Sequence, residues 1–124
     1  MGSNTFASLG RPLPNRVNVV INKDKNYKAP GCVTVFFLEE ALERAKEEEK
    51  KLKNDHEEIF IIGGGSIYAQ MLPCAEKLYL TIVDDEPPEV DTYFPDYSEF
   101  KKIIRESEAY EYNGLKYKFI ELAR

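Results

Sequence analysis

Four compact runs of apolar residues along the chain have the length and composition of β-strands. Val17 to Ile21 and Val33 to Phe36 are short and rich in β-branched residues, and Ile59 to Ile62 is a third run of this kind. Lys77 to Val83 is longer and also mostly apolar. Because helical patterns separate these runs, the sequence predicts an α/β fold with a largely parallel sheet.

Apolar residues spaced three and four positions apart indicate the helices. A long amphipathic helix is predicted from Leu38 to about Asn54, with glutamate dense at its start and lysine at its end, as the helix dipole favours. Shorter helices are predicted over Thr5 to Leu9, ended by a turn that starts at Gly10, and over Ser66 to Leu72, stopped by Pro73. The apolar stripe of the long helix comprises Leu38, Ala41, Leu42, Ala45 and Leu52.

The C-terminal part has the pattern of a β-hairpin. Strands are predicted near Lys101 to Tyr110 and Leu115 to Leu122, joined around Asn113-Gly114, a dipeptide favoured where both central turn residues need a positive φ. An acidic loop with prolines, Asp84 to Asp91, comes before them. With 124 residues, no repeats and no low-complexity linker, the chain is predicted to form a single domain over residues 1–124.

Charge and cysteine content restrict the class of protein. The net charge of -5, without a basic cluster, argues against nucleic acid as a partner, since Lys and Arg supply most of the affinity for phosphate backbones. No apolar run is long enough to span a bilayer and no signal-peptide pattern is present, so we expect no membrane partner and a cytoplasmic location. Cys32 and Cys74 lack metal-ligand spacing and are interpreted as reduced thiols, and His56 as a solvated surface histidine.

A β-branched run meets three glycines at Gly63 to Gly65, and a helical pattern follows at once. Such a junction lets backbone N–H groups approach a phosphate closely, because no Cβ stands in the way. A glycine triplet is also what a chain uses to turn sharply under tight packing. Taken alone, these residues leave both interpretations open.

Three further segments lie around the glycines in a fixed order. Thr5 to Arg16, which contains Gly10-Arg11-Pro12-Leu13-Pro14, comes before them, and Leu78-Tyr79-Leu80-Thr81 and Asp91-Thr92-Tyr93-Phe94-Pro95 come after. In type, order and spacing these segments resemble the dihydrofolate reductase family, and the resemblance runs from Met1 to Arg124. It implies a mostly parallel sheet flanked by helices, with a C-terminal antiparallel hairpin.

The resemblance also implies that the chain is N-terminally incomplete as a family member. Members of the family begin with an additional segment: a first strand, a mobile loop, a helix with the acidic residue that contacts the pterin, and a second strand ending in Met-Gly. Met1-Gly2 looks like the end of that segment. We therefore expect exposed sheet edges, through which the chain self-associates or takes up a complementing N-terminal fragment.

The function implied by the resemblance is NADPH-dependent reduction of 7,8-dihydrofolate to 5,6,7,8-tetrahydrofolate in one-carbon metabolism. NADPH is the expected cofactor and dihydrofolate the expected substrate, with no metal. Little activity is expected from this chain alone, because the proton-handling carboxylate is absent and Asp84, Asp85 and Glu86 lie too far along the chain to replace it. The alternative is a non-catalytic NADP(H)-binding module, or a complementing fragment that needs a second chain.

Two side chains have an interpretation from chemistry as well as from the resemblance. The guanidinium of Arg16 matches a carboxylate in two parallel hydrogen bonds, so it is the candidate for the glutamate tail of the folate; the alternative is a surface arginine beside a strand. The Thr5 hydroxyl and the adjacent N–H groups are a candidate phosphate site; the alternative is helix capping.

Thr81 matches the threonine that, in the family, works with the absent acid.

The resemblance implies the remaining site residues, although each apolar member also suits an ordinary core. Substrate contacts would be Leu9, Arg11, Leu13, Arg16 and Thr81. Cofactor contacts would be Asn4, Thr5, Asn22, Lys23, Ile62, Gly63, Gly64, Gly65, Ser66, Ile67, Tyr68 and Gln70.

One departure from the family concerns the choice of cofactor. Ser3-Asn4 stands where the family often carries a basic pair before the threonine, which weakens the expected grip on the phosphate that distinguishes NADPH from NADH. Lys23 compensates in part. The expected preference for NADPH therefore depends on the resemblance more than on charge.

Overall fold

The computed structural model describes residues 1–51 and 58–124, and the chain divides into two compact units, Met1–Gln70 and Met71–Arg124. The predicted end of the long helix near Asn54, the apolar Leu52 and the surface histidine His56 lie outside the described residues. Within those two ranges, no helix combines the length and the apolar composition needed to cross a bilayer.

The first unit is built around a parallel pair of short strands. Val19 lies opposite Val33 in this pair, and the central Val20 is fully buried. The backbone of Gly2 also forms a parallel bridge with Ile21, on the other side of the first strand. The elements of the unit are α1 (Ser3–Leu9), β1 (Val19–Ile21), β2 (Val33–Val35), α2 (Leu38–Lys51) and α3 (Gly65–Met71), of which only Met71 falls in the second unit.

The helix α2 packs on β1 and β2 and is the long amphipathic helix that the sequence predicts. Ala41 is its buried residue, and the small side chain lets the helix approach the strands closely. Glu39 and Glu40 occupy the first turn, and Lys50 and Lys51 the last. The predicted match between side-chain charge and helix dipole is therefore confirmed.

The second unit is a sheet in which one long strand pairs with three others. Its buried core consists of Leu78, Phe100 and Leu122, and Leu78 lies directly opposite Leu122 in the ladder. The elements are a 3-10 turn (Leu72–Cys74), β3 (Lys77–Val83), β4 (Lys102–Glu106), β5 (Tyr110–Tyr112) and β6 (Leu115–Ala123), and β6 is antiparallel to the other three strands.

The predicted C-terminal hairpin is formed by β5 and β6. Asn113 and Gly114 join these strands with φ angles of 49° and 81°, both positive, as this turn requires. The strand predicted near Lys101 to Tyr110 is divided into β4 and β5. The break follows from Ser107, because its hydroxyl, in place of a backbone carbonyl, accepts the Phe119 N–H at 2.9 Å.

Two features of the predicted fold are different in the structure. Among the described strands only β1 and β2 are parallel, whereas β6 is antiparallel to three strands, so these residues do not form a mostly parallel sheet. The apolar run Ile59 to Ile62 is assigned to no strand. A strand needs a neighbour that supplies its ladder hydrogen bonds, and none of the described strands pairs with this run. The observed class is mixed α/β.

The side chain of Arg124 joins the end of β6 to the 3-10 turn. Its Nη2 atom donates to the carbonyls of Leu72 and Pro73 at 2.8 and 2.9 Å, and its Nε donates to the carbonyl of Ala75 at 3.2 Å. The guanidinium carbon lies 4.6 Å from the centroid of the Phe100 ring. One cation therefore binds carbonyls at the end of a helical segment, where the helix itself leaves them without partners.

We expect Arg124→Met to lower the free energy of unfolding by about 1–3 kcal/mol, since the apolar stem is kept and the charged hydrogen bonds are lost. Urea denaturation followed by circular dichroism measures the change. The control is Glu99→Gln, which removes only the ion pair to Arg124 through a side chain that is 79% exposed, and should cost at most about 1 kcal/mol. An unchanged midpoint for Arg124→Met would contradict this role.

Candidate functional site

The start of α1 and the glycine turn lie side by side in the first unit. A Cβ atom added at Gly64 would stand 3.6 Å from the Thr5 hydroxyl oxygen. The Gly2 N–H donates to the Gly63 carbonyl at 2.9 Å, and this bond holds the start of α1 against the glycine turn. Two segments about sixty positions apart in the sequence, each a candidate phosphate site, are thus brought together.

The backbone of the turn requires glycine at one position and tolerates a side chain at the next. Gly63 has a φ of 114°, and a Cβ there would lie 3.3 Å from the Tyr68 ring. The φ of Gly64 is not in the left-handed region, and its added Cβ would make only ordinary contact. The Gly63–Gly64 peptide bond is cis. The Gly64 carbonyl accepts the Tyr68 N–H at 2.9 Å, so α3 begins directly from the turn.

Tyr68 forms one wall of the turn. Its ring is half-buried against Gly63, and this burial raises the pKa of the phenol above its ordinary value. The phenol is therefore neutral at physiological pH and adds no negative charge beside a candidate anion site.

Helix capping, the alternative interpretation of Thr5, is wrong. The helix α1 begins at Ser3, two residues earlier than predicted, and Gly2 is its N-cap, with no capping bond from a side chain. Thr5 is therefore the third helical residue. Its hydroxyl lies at the glycine turn because the helix starts early, and the first-turn N–H groups of α1 have no partners within the helix.

A cavity of about 260 Å³ lies between β1, α2 and the run 59–62. Of the predicted site residues, Leu13, Arg16, Ile62 and Ile67 line it. Its other walls are mostly apolar, but three carboxylates that disfavour a phosphate also reach it, from Glu48, Glu49 and Glu58. The cavity and the glycine turn are therefore sites of different chemistry.

Arg16 is exposed, and it lies in a short loop between α1 and β1. Its Nε atom donates to the Pro14 carbonyl at 3.0 Å. Asn15, between these two residues, has a φ of 61°, a conformation that asparagine adopts more readily than most residues. The loop is bonded to Asn18, a buried residue that sequence reasoning missed. The available signal was an amide side chain between Val17 and Val19, in a run that otherwise suits a buried strand.

The other predicted cofactor residues take part in local hydrogen bonds. The Asn4 carbonyl accepts the Ser8 hydroxyl at 3.2 Å, and Asn22 Oδ1 accepts the Asp24 N–H at 2.8 Å. Gln70 Nε2 donates to the Ser66 carbonyl and hydroxyl at 3.1 and 3.2 Å. Lys23 is exposed.

The remaining predicted substrate residues are not gathered at the cavity. Leu9 and Arg11 are exposed and do not line it. Thr81 belongs to the second unit, where it is exposed in β3 opposite Phe119. Across residues 1–51 and 58–124, no group of three or more His, Cys, Asp and Glu side chains could hold a metal ion, and Cys32 and Cys74 are free thiols.

Comparison with known proteins assigns the chain to a family. The sequence profile of dihydrofolate reductase matches residues 1–124. The chain belongs to the dihydrofolate reductase family. The resemblance carried by the glycine turn, by the segment from Thr5 to Arg16 and by the downstream motifs is therefore confirmed.

Individual relatives agree with the dihydrofolate reductase assignment. The chain is 45% identical over 97 residues to dihydrofolate reductase type 3 of Salmonella typhimurium, which covers 78% of this chain and 54% of the relative. It is 37% identical over 99 residues to dihydrofolate reductase of Bacillus subtilis (strain 168), and this match covers 80% of the chain and 54% of the relative. It is 40% identical over 114 residues to dihydrofolate reductase of Buchnera aphidicola subsp. Baizongia pistaciae, and this match covers 87% of the chain and 64% of the relative.

The chain spans about half the length of the first two of these dihydrofolate reductases. These matches do not establish the expected absence of an N-terminal segment, which stays a prediction.

We expect Gly63→Ala to lower the free energy of unfolding by about 1–3 kcal/mol, because a side chain there meets both an unfavourable φ and the Tyr68 ring. Gly64→Ala is the matched control one residue away and should change stability by less than about 1 kcal/mol, since its Cβ has room. Urea denaturation of both variants makes the comparison. Equal losses would show that the two glycines are not distinguished by the backbone of the turn.

Proposed function

We propose that this chain carries cofactor-phosphate and substrate-tail contacts of a dihydrofolate reductase, which reduces 7,8-dihydrofolate to 5,6,7,8-tetrahydrofolate with NADPH. The observation that carries the proposal is the 3.6 Å between the Thr5 hydroxyl oxygen and a Cβ position at Gly64. A side chain at Gly64 would fill this space, whereas glycine leaves it to a ligand. Membership of the family supports the type of reaction.

Cofactor binding is assigned to the glycine turn and the start of α1. The first-turn N–H groups of α1 and α3 are donors that the helices themselves do not use, and the Thr5 hydroxyl lies 3.6 Å from a Cβ position at Gly64, the residue before α3. Gln70 donates to the Ser66 oxygen, which leaves the Ser66 hydroxyl hydrogen to donate to a phosphate oxygen. When bound, NADPH supplies the hydride for reduction. The residues of this chain hold and orient it.

Substrate binding is assigned to Arg16 and to residues that the resemblance to the family implies. Arg16 would bind the glutamate-tail carboxylate through its planar fork of donors. Leu13 shares the lining of the cavity with Arg16 and would contact the aminobenzoyl group, together with Leu9 and Arg11. Thr81 would support the pterin. The preference for NADPH, the single domain over residues 1–124 and the cytoplasmic location belong to the same proposal.

We expect Gly64→Ala to weaken NADPH binding about tenfold or more while the fold is retained, because its Cβ occupies the space beside Thr5. Calorimetric titration measures the affinity. The control is Ala7→Ser, on the exposed side of α1, which should bind NADPH as the unchanged chain does. Undiminished binding by folded Gly64→Ala would remove the phosphate assignment.

A second candidate is that the chain acts together with another polypeptide segment. The cavity beside β1 supports it, since its walls are mostly apolar and the backbone of Met1 already runs alongside β1, where its carbonyl accepts the Ile21 N–H at 2.9 Å. An extended apolar segment would continue that arrangement and fill the cavity. Self-association through the same surface is the competing form of this candidate.

We expect at most trace turnover from the chain alone, because no acid is among the residues proposed here for the substrate site, and a catalytic acid contributes about two to four orders of magnitude in rate. NADPH oxidation in the presence of dihydrofolate is measured with and without the N-terminal polypeptide of a family member, which should restore turnover. Robust turnover by the purified chain would contradict the second candidate.

A further inference from the structure

Asn18 is a polar side chain enclosed at the entrance to β1, with only 6% of its surface exposed. Its Oδ1 atom accepts the Leu13 N–H at 2.9 Å, and its Nδ2 donates to the Leu13 carbonyl at 2.9 Å and to the Arg16 carbonyl at 3.2 Å. Only the oxygen can accept an N–H, so these partners fix the orientation of the amide. The side chain pairs with both polar groups of Leu13, much as a neighbouring strand would.

The loop that Asn18 holds has little freedom of its own. Pro12 and Pro14 have fixed φ angles, and Asn15 adopts a φ of 61°. Pro12 also lies against Gly31, where a Cβ on that glycine would stand 3.0 Å from the proline Cγ. Asn18 therefore closes a loop that is also held by packing at Pro12.

Arg16 supplies the charged, exposed side chain of this loop. Its side chain is exposed, and its Nε donates to the Pro14 carbonyl inside the same loop. The direction of the guanidinium thus depends on the backbone from Leu13 to Arg16, and both ends of that backbone are bonded to the Asn18 amide. Without these bonds the loop would be mobile in the free protein. Ordering it on binding would then cost part of the affinity that a bidentate contact from Arg16 provides.

We propose that Asn18 is a positioning residue for the substrate tail. It holds the loop from Leu13 to Arg16 so that the Arg16 guanidinium is presented to the glutamate carboxylate, and so it sets the preference for folates that bear glutamate over pteroates that lack it. This inference rests on the proposed function of Arg16. Asn18 touches no reacting atom and acts through Arg16.

The test is the ratio of folate to pteroate affinity, measured by calorimetry with the full chain. The unchanged chain should prefer folate, and Arg16→Lys should remove most of that preference. Asn18→Asp, which keeps the shape and loses both donated bonds, should lower the ratio threefold to tenfold. The double variant Arg16→Lys, Asn18→Asp should have the same folate-to-pteroate affinity ratio as Arg16→Lys alone, because the two residues act as one unit.

Two further variants separate positioning from general stability. Val20→Ala truncates a fully buried side chain of β1, two residues from Asn18, and should destabilise the unit while leaving the ratio unchanged. Gly31→Ala puts a Cβ 3.0 Å from Pro12 Cγ, at a residue whose φ is 80°, and should lower the ratio by displacing the loop while no Asn18 bond is removed, which keeps the proposal testable if Asn18→Asp does not fold.

Each outcome decides a different point. A folate preference that survives in folded Asn18→Asp, or an equal loss of folate and pteroate affinity, would overturn the positioning role. A loss that persists in full on the Arg16→Lys background would overturn it as well. Failure of the unchanged chain to prefer folate, or retention of the preference by Arg16→Lys, would overturn the proposed function of Arg16, and the role of Asn18 with it.

Discussion

The hydrogen bond from the Gly2 N–H to the Gly63 carbonyl is the contact on which the candidate site depends. Gly2 forms a parallel bridge with Ile21 of β1, and its own carbonyl accepts the Phe6 N–H at 3.1 Å, which starts α1. A Cβ at Gly2 would lie 3.6 Å from the Ile67 side chain of α3. One small residue thus fixes the starts of both short helices relative to β1, and the phosphate assignment depends on that arrangement.

The charge of the molecule affects how such a site must work. Both ligands of the proposed reaction are anionic, and the chain carries a net charge of -5, so attraction at long range does not favour binding. Affinity has to come from donors in direct contact, namely backbone N–H groups, hydroxyls and the Arg16 guanidinium. This is the setting in which rigid local geometry matters most, because a loosely held donor would have to be ordered at the expense of affinity.

Local signals in the sequence predicted the parts of the structure that local chemistry decides. Gly10 ends α1 in the left-handed conformation, Asn113 and Gly114 make the hairpin turn, and β3 spans the predicted residues. That residues 59–62 form no strand was not predictable from their composition, because a strand is completed by a distant neighbour. The proximity of Thr5 to the glycine turn is likewise set by tertiary contacts, so it was not predicted, although each segment was identified separately as a candidate phosphate site.

Asn18, the residue that sequence reasoning missed, also owes its role to contacts that the sequence does not specify. Asn18 stands in a run of valines, and such a run predicts a buried strand in which one amide is an irregularity. What makes Asn18 informative is the set of three backbone groups that it binds, and those groups belong to a loop whose path the sequence does not specify. The start of α1 was predicted two residues too late for a related reason, since it is decided by the backbone of Gly2 and not by the best capping side chain.

The most direct test of the central claim is an NMR titration of the isotopically labelled chain with NADPH. The claim is that the glycine turn and the start of α1 form one phosphate site. It predicts that the largest amide shift changes fall together, at the same ligand concentration, on residues 63–67 and 3–5, while amides in the core of the second unit, such as Leu78 and Leu122, stay unchanged. Changes at one of the two segments without the other, or changes confined to other parts of the chain, would contradict it.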